Sequence, residues 1–373
     1  MYLEWFVTSH ATAQHDVASL RAALPSANLV RFVGVLWKDS IKESDGLECS
    51  TDDASQGYLD ATCLQYMDEL IAKATDAGLF LILSARAKYA AGWSWPDEPD
   101  VFHDSELRRR YLAMWAFLVA RYASWDRVVG FEIMSEPRSK VVSQRDVTEF
   151  MAAGCAVVRA HDARALCVVG PAPYYKVWEL TEAILLPIPN VLYTFDFFLP
   201  WKFVSSDSAK SAATFPATFP CQDVYDTWWR GHCASAAEKV VVDAAWINAT
   251  IERIPAALRL ARSVPVYCNQ WGVKAEVYES RGRFAYARAL LDALMYHNIP
   301  STYWLWRSME KAGRATDEPV WGFELVRNNG VDPEALDAPM VALLEGRFRV
   351  GAGYLQPRAT NVTESRALRN RRR

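Results

Sequence analysis

Three short apolar runs of this 373-residue sequence end in side chains that could carry chemistry. The run VVGFEIM is followed by Ser135 and Glu136, and the run VLYTFDF contains Asp196. The run VPVYCNQWG contains Gln270 near its end. Carboxyl groups act as general acids, bases and nucleophiles, whereas an uncharged amide is a poor nucleophile. Gln270 brings an uncharged amide where the other two runs carry carboxyl groups, so its role is the first question that the sequence raises.

These residues belong to a regular alternation of short β-rich runs and longer segments with helical periodicity, such as residues 58–77 and 106–122. Near-continuous apolar strands that are each followed by an amphipathic helix are typical of a parallel sheet covered by helices. The candidate strands are residues 3–9, 29–37, 79–84, 128–134, 166–170, 191–197, 264–270 and 302–306. Eight such units predict a closed (β/α)8 barrel rather than an open doubly wound sheet, and no Gly-rich phosphate loop follows the first strand.

A barrel of this kind carries its functional residues at the carboxyl ends of the strands. Two connections, residues 199–234 after the sixth strand and 307–332 after the eighth, are long enough to wall a cleft there. We expect one domain over residues 1–350 and a disordered basic tail over 351–373. The polar and aromatic residues at the strand ends are Trp37, Arg86, Ser135, Glu136, Asp196, Gln270, Trp304 and Trp306.

Composition argues against several classes of function. A net charge of −3 with 23% charged residues indicates neither a nucleic-acid-binding protein nor a membrane-surface protein. No run approaches the ~18 to 20 apolar residues of a membrane span, and the start, MYLEWFVTSH, lacks the basic region of a signal peptide. No spacing of Cys and His is typical of a zinc site, so we expect neither a metal nor a cofactor.

The seven cysteines leave two interpretations open. Cys49 could pair with Cys63, and Cys221 with Cys233, across two loops if the protein is secreted; alternatively, the cysteines are buried thiols. Two N-glycosylation sequons slightly favour the secretory route. They begin at Asn248 and Asn361.

Several stretches resemble, in order and spacing, the retaining β-glycosidases of glycoside hydrolase family 5. SEPR after the fourth strand is similar to the family's Asn-Glu-Pro, and NLVRFVGVLW is similar to its second-strand segment with a site-supporting Arg. NVLYTFDFFLP resembles the family's sixth strand, and VPVYCNQWG resembles its seventh strand, which carries the nucleophile. STYWLWR resembles its eighth strand, whose Trp lies under the bound sugar. The resemblance spans residues 3–345 and implies hydrolysis of O-glycosyl bonds in β-linked glucans or mannans.

The resemblance implies a role for each catalytic position. Glu136 stands where the acid/base catalyst is expected, and Gln270 stands where the nucleophilic carboxylate is expected. Asp196 replaces a usual His and brings a second carboxyl to the site. Retaining hydrolysis needs two carboxyl groups about 5 to 5.5 Å apart. An amide at position 270 therefore predicts a loss of rate on the order of a hundredfold or more.

The other implied positions would bind the sugar. Ser135 replaces the Asn that would hold the sugar 2-hydroxyl, and Phe198 replaces a usual Tyr. Arg86 stands near a usual His, and it could equally form a structural ion pair with a carboxyl of the site. Glu132 is expected to point into the barrel as a paired charge. The implied substrate-binding residues are Arg31, Trp37, Arg86, Ser135, Phe198, Trp304 and Trp306.

Three hypotheses account for Gln270. A deliberate Glu-to-Gln replacement would explain that position, but not the changes at the other strand ends. A natural barrel could have lost hydrolysis and only bind an oligo- or polysaccharide, or hold a partner, through aromatic residues that stack on pyranose faces. Alternatively, Asp196 could act as the second carboxylate and place a water, with inversion if the carboxyls lie roughly 6.5 to 9.5 Å apart. The aromatic residues considered are Trp37, Trp93, Trp95, Trp201, Trp228 and Trp229.

The sequence thus predicts an O-glycosyl hydrolase barrel whose activity is lost or altered at Gln270. The alternative, from a different class, is a non-catalytic carbohydrate-binding or scaffold protein.

Overall fold

Eight parallel strands form the central sheet in the part of the chain that the structure describes, in the order β1-β2-β3-β4-β5-β6-β9-β10. The structure is a computed structural model and describes residues 2–4, 10–37, 51–87, 101–137, 143–205, 213–225, 229–254, 258, 264–275, 277, 279–306, 323–326 and 336–354. The last strand also contacts β2, which brings the two ends of the sheet together. The protein is a (β/α)8 barrel, and the predicted fold class is confirmed.

Each strand of this sheet overlaps one of the eight predicted runs. They are β1 (Tyr2–Glu4), β2 (Leu29–Trp37), β3 (Phe80–Ala87), β4 (Val128–Glu132), β5 (Leu166–Val169), β6 (Val191–Phe197), β9 (Val266–Trp271) and β10 (Ser301–Tyr303). Two further strands, β7 (Ala217–Pro220) and β8 (Lys239–Val242), form an antiparallel pair outside the barrel. Of the predicted first strand, residues 5–9 lie outside the described part of the chain.

The longer helices cover the sheet and pack apolar residues against it. Three of them begin at capping residues, Asp60, Asp104 and Ser143, whose side-chain oxygens accept backbone N–H bonds in the first helical turn. Most of their apolar residues belong to one continuous core between strands and helices. The helices are α1 (His10–Ala23), α2 (Ala61–Asp76), α3 (Ser105–Tyr122), α4 (Gln144–His161), α5 (Trp201–Val204), α6 (Cys221–Tyr225), α7 (Trp229–His232), α8 (Ala244–Ile254), α9 (Arg283–Tyr296) and α10 (Ala338–Tyr354).

The predicted long loop after β6 contains regular structure of its own. It carries α5, β7, α6 and α7, and the connection continues past residue 234 through β8 before the chain returns to the barrel at α8. Strands of four residues are too short to show a periodicity in the sequence, so the pair was not predicted. Of the predicted long loop after the eighth strand, only residues 323–326 are described.

Disulfide bonds account for most of the described cysteines. Cys221 pairs with Cys233 across the loop after β6, as in the first of the two interpretations that the sequence left open. A second bond, which the sequence did not predict, joins α4 to β5 through Cys155 and Cys167. Cys63 is also disulfide-bonded, and Cys49 lies outside the described residues.

The carboxyl-terminal helix extends beyond the predicted domain boundary. Helix α10 continues to Tyr354, so a boundary between residues 350 and 351 would fall inside it. The remainder, residues 355–373, lies outside the described part of the chain, as does the sequon at Asn361. None of the helices within the described ranges has the length and apolar character needed to cross a membrane.

Candidate active site

The turn that follows β4 is held by hydrogen bonds from two neighbouring elements. Tyr111 Oη and Trp115 Nε1 on α3 each donate a hydrogen bond of 2.8 Å to the carbonyl oxygen of Ile133. The hydroxyl of Tyr175, which follows β5, donates to the carbonyl oxygen of Met134. These bonds satisfy buried carbonyl groups where the strand ladder ends, and they fix the path of the turn.

Glu136 lies in this turn and has an unusual backbone conformation. Its φ of +47° is in the left-handed region, which non-glycine residues occupy rarely, at a cost in energy, and often at functional sites. Arg86 Nη2 donates a hydrogen bond to Glu136 Oε2 at 3.3 Å, and Gln270 Nε2 donates to Glu136 Oε1 at 3.3 Å. The Glu136 side chain is 21% exposed. The side chain is therefore partly accessible to solvent, while donors contact both of its carboxyl oxygens.

Asp196 and Gln270 are neighbours across the β6–β9 strand pair. They are register partners, and Gln270 Nε2 donates a hydrogen bond to Asp196 Oδ2 at 3.0 Å. Asp196 is 5% exposed, and its second oxygen, Oδ1, is buried without a hydrogen-bond partner among the described residues. One amide nitrogen thus bridges two carboxyl groups, those of Asp196 and Glu136.

The surroundings of Asp196 favour its protonated form. Burial is the main cause and the neighbouring Glu136 carboxyl is the second, and together they raise the pKa of Asp196 well above its usual range. The Arg31 guanidinium acts in the opposite direction and does not outweigh them. Because two carboxyl groups this close do not both ionise readily, Asp196 holds a proton over a wider range of pH than an exposed aspartate does.

The position of Asp196 does not support the hypothesis of an inverting carboxyl pair. That mechanism needs carboxyl groups roughly 6.5 to 9.5 Å apart, with room for a water between them. Here the carboxyls of Asp196 and Glu136 bond the same nitrogen of Gln270, at 3.0 and 3.3 Å, so their oxygens are separated by less than two hydrogen-bond lengths. The reason is the strand register, which places Asp196 directly beside Gln270.

A buried polar network lies beneath these residues. Arg31 donates to Glu132 through Nε at 2.6 Å and through Nη2 at 2.8 Å, and Nη2 also donates to Ser135 Oγ at 2.8 Å. Asn269 Nδ2 donates to Glu132 Oε1 at 3.1 Å. All four residues are buried, so the expectation that Glu132 is a paired charge is confirmed. Arg31 and Ser135 are buried in this network, and their predicted contact with the sugar stays a prediction.

Four aromatic rings form a cluster beside the site, which we call the aromatic platform: Phe198, Trp201, Trp304 and Phe323. Trp304 packs on Phe198 and Phe323 with ring centroids 5.6 and 4.8 Å apart, and Trp201 stacks on Phe323 at 6.3 Å. Trp201 is 47% exposed, which is unusual for so large an apolar side chain. The platform therefore exposes an aromatic ring to solvent at the carboxyl-terminal face of the barrel.

The structure brings part of the predicted site together. The residues that meet in one hydrogen-bonded cluster are Glu136, Asp196, Gln270 and Arg86. Trp306 lies apart from them, since it is 1% exposed and packs in the main apolar core, where a substrate could reach it only if its neighbours moved. Other predicted aromatic side chains lie outside the described part of the chain, namely those of Trp37, Trp93, Trp95, Trp228 and Trp229.

Three residues at or beneath the site were not predicted from the sequence. Tyr175 and Phe323 come from connections between elements, and no periodicity in the sequence indicates that these segments fold back onto the strand ends. Asn269 immediately precedes Gln270 and donates to Glu132. A polar side chain within an otherwise apolar run could have indicated this buried role from the sequence. Among the described residues, no group of three His, Cys, Asp or Glu side chains could hold a metal ion.

An eight-stranded parallel barrel with paired carboxyl groups and an aromatic platform at its carboxyl-terminal face has the architecture of a barrel glycoside hydrolase. Residues 5–310 match the family model described as cellulase, glycosyl hydrolase family 5, and the chain belongs to this family. No curated protein sequence matches the chain.

Solved structures with a similar fold include several glycoside hydrolases. The cellulose synthase subunit Z (CcsZ) of Clostridioides difficile has a TM-score of 0.62 at 15% identity, covering 91% of this chain and 93% of its own. Cel5A of Thermotoga maritima in complex with cellobiose has a TM-score of 0.61 at 16% identity, with coverage of 90% and 89%. A Glu-to-Gln mutant of a lichenase from Caldicellulosiruptor sp. F32, in complex with cellotetraose, has a TM-score of 0.65 at 11% identity, with coverage of 92% and 85%. At these identities the similarity shows the fold alone.

Proposed function

We propose that this family 5 barrel binds β-linked glucan or mannan-type saccharides in a cleft at the carboxyl ends of its strands, and that retaining hydrolysis of these chains is lost at Gln270. The observation that carries the proposal is the position of the Gln270 amide nitrogen, which donates hydrogen bonds to Glu136 at 3.3 Å and to Asp196 at 3.0 Å. The lone pair of an amide nitrogen is delocalised into its carbonyl group, so Gln270 offers no effective nucleophile to an anomeric carbon.

The loss follows from the chemistry of double displacement. One carboxyl must protonate the leaving oxygen while a second, ionised carboxyl attacks the anomeric carbon and forms a glycosyl ester. In this scheme Glu136 is the acid/base residue, and residue 270 would be the nucleophile. An amide neither forms the ester nor balances the positive charge of the transition state, and the loss of one such electrostatic partner costs on the order of a hundredfold or more in rate.

Asp196 does not readily substitute for the missing nucleophile. A carboxyl attacks in its ionised form, whereas burial and the adjacent Glu136 hold the pKa of Asp196 well above its usual range. The side chain is also buried beside Gln270, with one of its oxygens engaged by the Gln270 amide.

The saccharide class is supported by the aromatic platform. Trp201 and Trp304 present large apolar ring faces of the kind that stack on the apolar faces of pyranose rings. Relatives with the same fold are named as endoglucanase and lichenase, and two of them were solved with cellobiose and cellotetraose. A cleft that has lost the nucleophile can keep such binding, because the platform and the nucleophile position belong to different residues.

The test compares the protein with a Gln270→Glu variant in parallel assays of binding and turnover. Substrates are soluble β-glucans, soluble mannans and aryl β-glycosides, and a Glu136→Gln/Gln270→Glu double variant is the control for turnover that depends on the acid/base residue. We expect the original protein to bind glucan or mannan without turnover, and the Gln270→Glu variant to gain hydrolysis that the double variant lacks. Turnover of glucan by the original protein at a rate typical of the family would contradict the proposal, and so would absence of all saccharide binding.

A further inference from the structure

One motif of the sequence has no part in the candidate active site, namely the sequon that begins at Asn248 in helix α8. Sequons are acceptors for N-linked sugars in secreted proteins. Disulfide bonds persist in the same oxidising compartments and are rare in the cytosol. This chain holds two of them, Cys155–Cys167 and Cys221–Cys233, so the motif and the cysteine chemistry independently indicate the same compartment.

The side chain of Asn248 is held in an orientation that leaves its nitrogen accessible. The side chain is partly exposed, and Oδ1 lies 3.2 Å from Nε2 of His297, which follows helix α9. Among the described residues Nδ2 has no hydrogen-bond partner, and it is not one of the side-chain atoms that are buried without a partner. Nδ2 therefore reaches solvent. A sugar on this atom replaces one amide hydrogen only, so the contact between Oδ1 and His297 is kept.

The surface of α8 around Asn248 has room for a bulky group. Residues three and four positions away on a helix are the nearest neighbours on its surface, and here they include Ala244, Ala245 and Glu252, which are all exposed. Two of these three side chains are single methyl groups, so a sugar at Asn248 displaces no packed side chain. The buried residues of α8 lie on its other face and are Ile247, Ile251 and Ile254.

An exposed aromatic ring lies next to the same position. Tyr296 is 80% exposed, more than any other large apolar side chain in the described part of the chain. Its ring packs edge-on against that of His297, with centroids 4.9 Å apart, and His297 in turn contacts Asn248. Aromatic rings offer a large apolar face, which the apolar face of a pyranose ring can cover.

We propose that Asn248 is an N-glycosylation site, and that the attached oligosaccharide packs on the ring of Tyr296. The inference does not depend on the proposed function, since neither residue belongs to the candidate active site. It assigns a role to an aromatic side chain whose exposure the fold does not require.

The transfer joins Nδ2 of Asn248 to C1 of a sugar that a lipid-linked oligosaccharyl pyrophosphate supplies. The bond between C1 and the pyrophosphate oxygen breaks, and its electron pair stays on that oxygen. Nδ2 forms a bond to C1 and loses one proton to a base of the transferring enzyme. In the folded helix, Thr250 Oγ donates a 2.9 Å hydrogen bond to the carbonyl oxygen of Trp246. Because the Thr250 hydroxyl is part of the acceptor motif, we place the transfer before α8 folds.

Occupancy of the site can be measured directly on the full chain after passage through the secretory pathway of a eukaryotic cell. Peptide N-glycosidase in heavy-oxygen water converts a glycosylated asparagine to a labelled aspartate. Trypsin releases Asn248 in the peptide of residues 240–253, which contains neither cysteine nor the second sequon. We expect the label at position 248. Secreted protein with an unlabelled Asn248 would overturn the inference.

Variants separate loss of the acceptor from a failure to fold. Asn361→Gln removes the second sequon and should leave a protein with one glycan, which the glycosidase removes. In this background Thr250→Val should abolish the glycan, whereas Thr250→Ser should keep it, because serine also completes a sequon. A glycan that persists in the Thr250→Val protein would show that Asn248 is not the acceptor.

Thermal unfolding tests the contact with Tyr296. Treatment of the folded Asn361→Gln protein with the glycosidase should lower its Tm, and the same treatment should lower the Tm of an Asn361→Gln/Tyr296→Ala protein by less. The conversion of Asn248 to aspartate is common to both proteins, so the difference between the two shifts reports the contact between sugar and ring. Equal shifts would overturn the assignment of Tyr296 as the contact of the glycan.

Discussion

The side-chain amide of Gln270 donates a 3.0 Å hydrogen bond to Asp196, its register partner on the neighbouring strand. The same nitrogen also contacts Glu136 at 3.3 Å, so the position expected to hold a nucleophile instead links two carboxyl groups. A glutamate at position 270 would place a third carboxyl in this space. Gln270 and the protonated form of Asp196 are therefore linked by a hydrogen bond. We expect a substitution at either residue to change the hydrogen bonding and the pKa of the other carboxyl groups in the site.

Asp196→Asn should stabilise the protein at neutral pH. Because burial raises the folded-state pKa of Asp196 above its ordinary value of 3.8, the folded protein keeps a proton that the unfolded chain releases. The free energy of unfolding should thus be highest below the unfolded pKa and should fall as the pH rises towards the folded pKa. The isosteric amide removes this contribution, and its oxygen can still accept the hydrogen bond from Gln270.

The measurement is urea unfolding of both proteins at several values between about pH 4 and pH 8. The variant should show a flatter pH dependence than the original protein and a higher free energy of unfolding at the upper end of the range. An unchanged pH dependence, or a variant that is less stable throughout, would mean that Asp196 is ionised in the folded protein.

Glu132→Gln should destabilise the protein strongly. The ion pair between Arg31 and Glu132 is fully buried, and removal of one partner leaves a buried charge without compensation, which costs about 3 to 5 kcal/mol. Glu149→Gln is the matched control, because its pair with Arg145 lies on the exposed face of α4 and should contribute less than about 1 kcal/mol. If both substitutions lower the free energy of unfolding equally in urea, the buried ion pair contributes no more to stability than the exposed one.

Trp201→Ala should weaken saccharide binding without loss of stability. The ring is 47% exposed on the aromatic platform, and removal of one aromatic contact of about 0.5 to 1.5 kcal/mol corresponds to roughly two- to tenfold in affinity. Calorimetric titration with a soluble glucan or mannan measures the effect. Tyr296→Ala, an exposed aromatic at the opposite end of the barrel, should bind as the original protein does, and equal weakening by both variants would exclude Trp201 as a contact.

Much of the fold could be predicted from the sequence, because each barrel strand is a distinct apolar run. The run 191–197 and β6 have identical bounds, and the run 128–134 extends beyond β4 at its end, where the carbonyl oxygen of Ile133 accepts bonds from α3. The meeting of Asp196 and Gln270 also followed from the strand order, since both lie near the carboxyl ends of neighbouring parallel strands.

Features that depend on tertiary contact could not be predicted in the same way. The Cys155–Cys167 bond has the same sequence separation of 12 as the Cys221–Cys233 bond, but it joins a helix to a buried strand and not the ends of a loop. Trp306 and Trp304 are two residues apart on the sequence, and only packing decides that the first is enclosed in the core.

The pairing of Arg86 is another case of this kind. The sequence left its partner among the carboxyls open, and the structure joins it to Glu136 at 3.3 Å. The direction of a long side chain at a strand end depends on charged groups of neighbouring strands. Local sequence patterns do not indicate which of these groups will be near.

The most direct test of the central claim is a search for a covalent glycosyl-enzyme by mass spectrometry after incubation with an activated 2-deoxy-2-fluoro-β-glycoside. Such reagents trap the ester that a carboxylate nucleophile forms in retaining hydrolysis. The account predicts no adduct on the original protein, and on the Gln270→Glu variant a single adduct on the peptide that contains position 270. An adduct on the original protein, at Asp196 or any other residue, would contradict the claim that this chain lacks a nucleophile of its own.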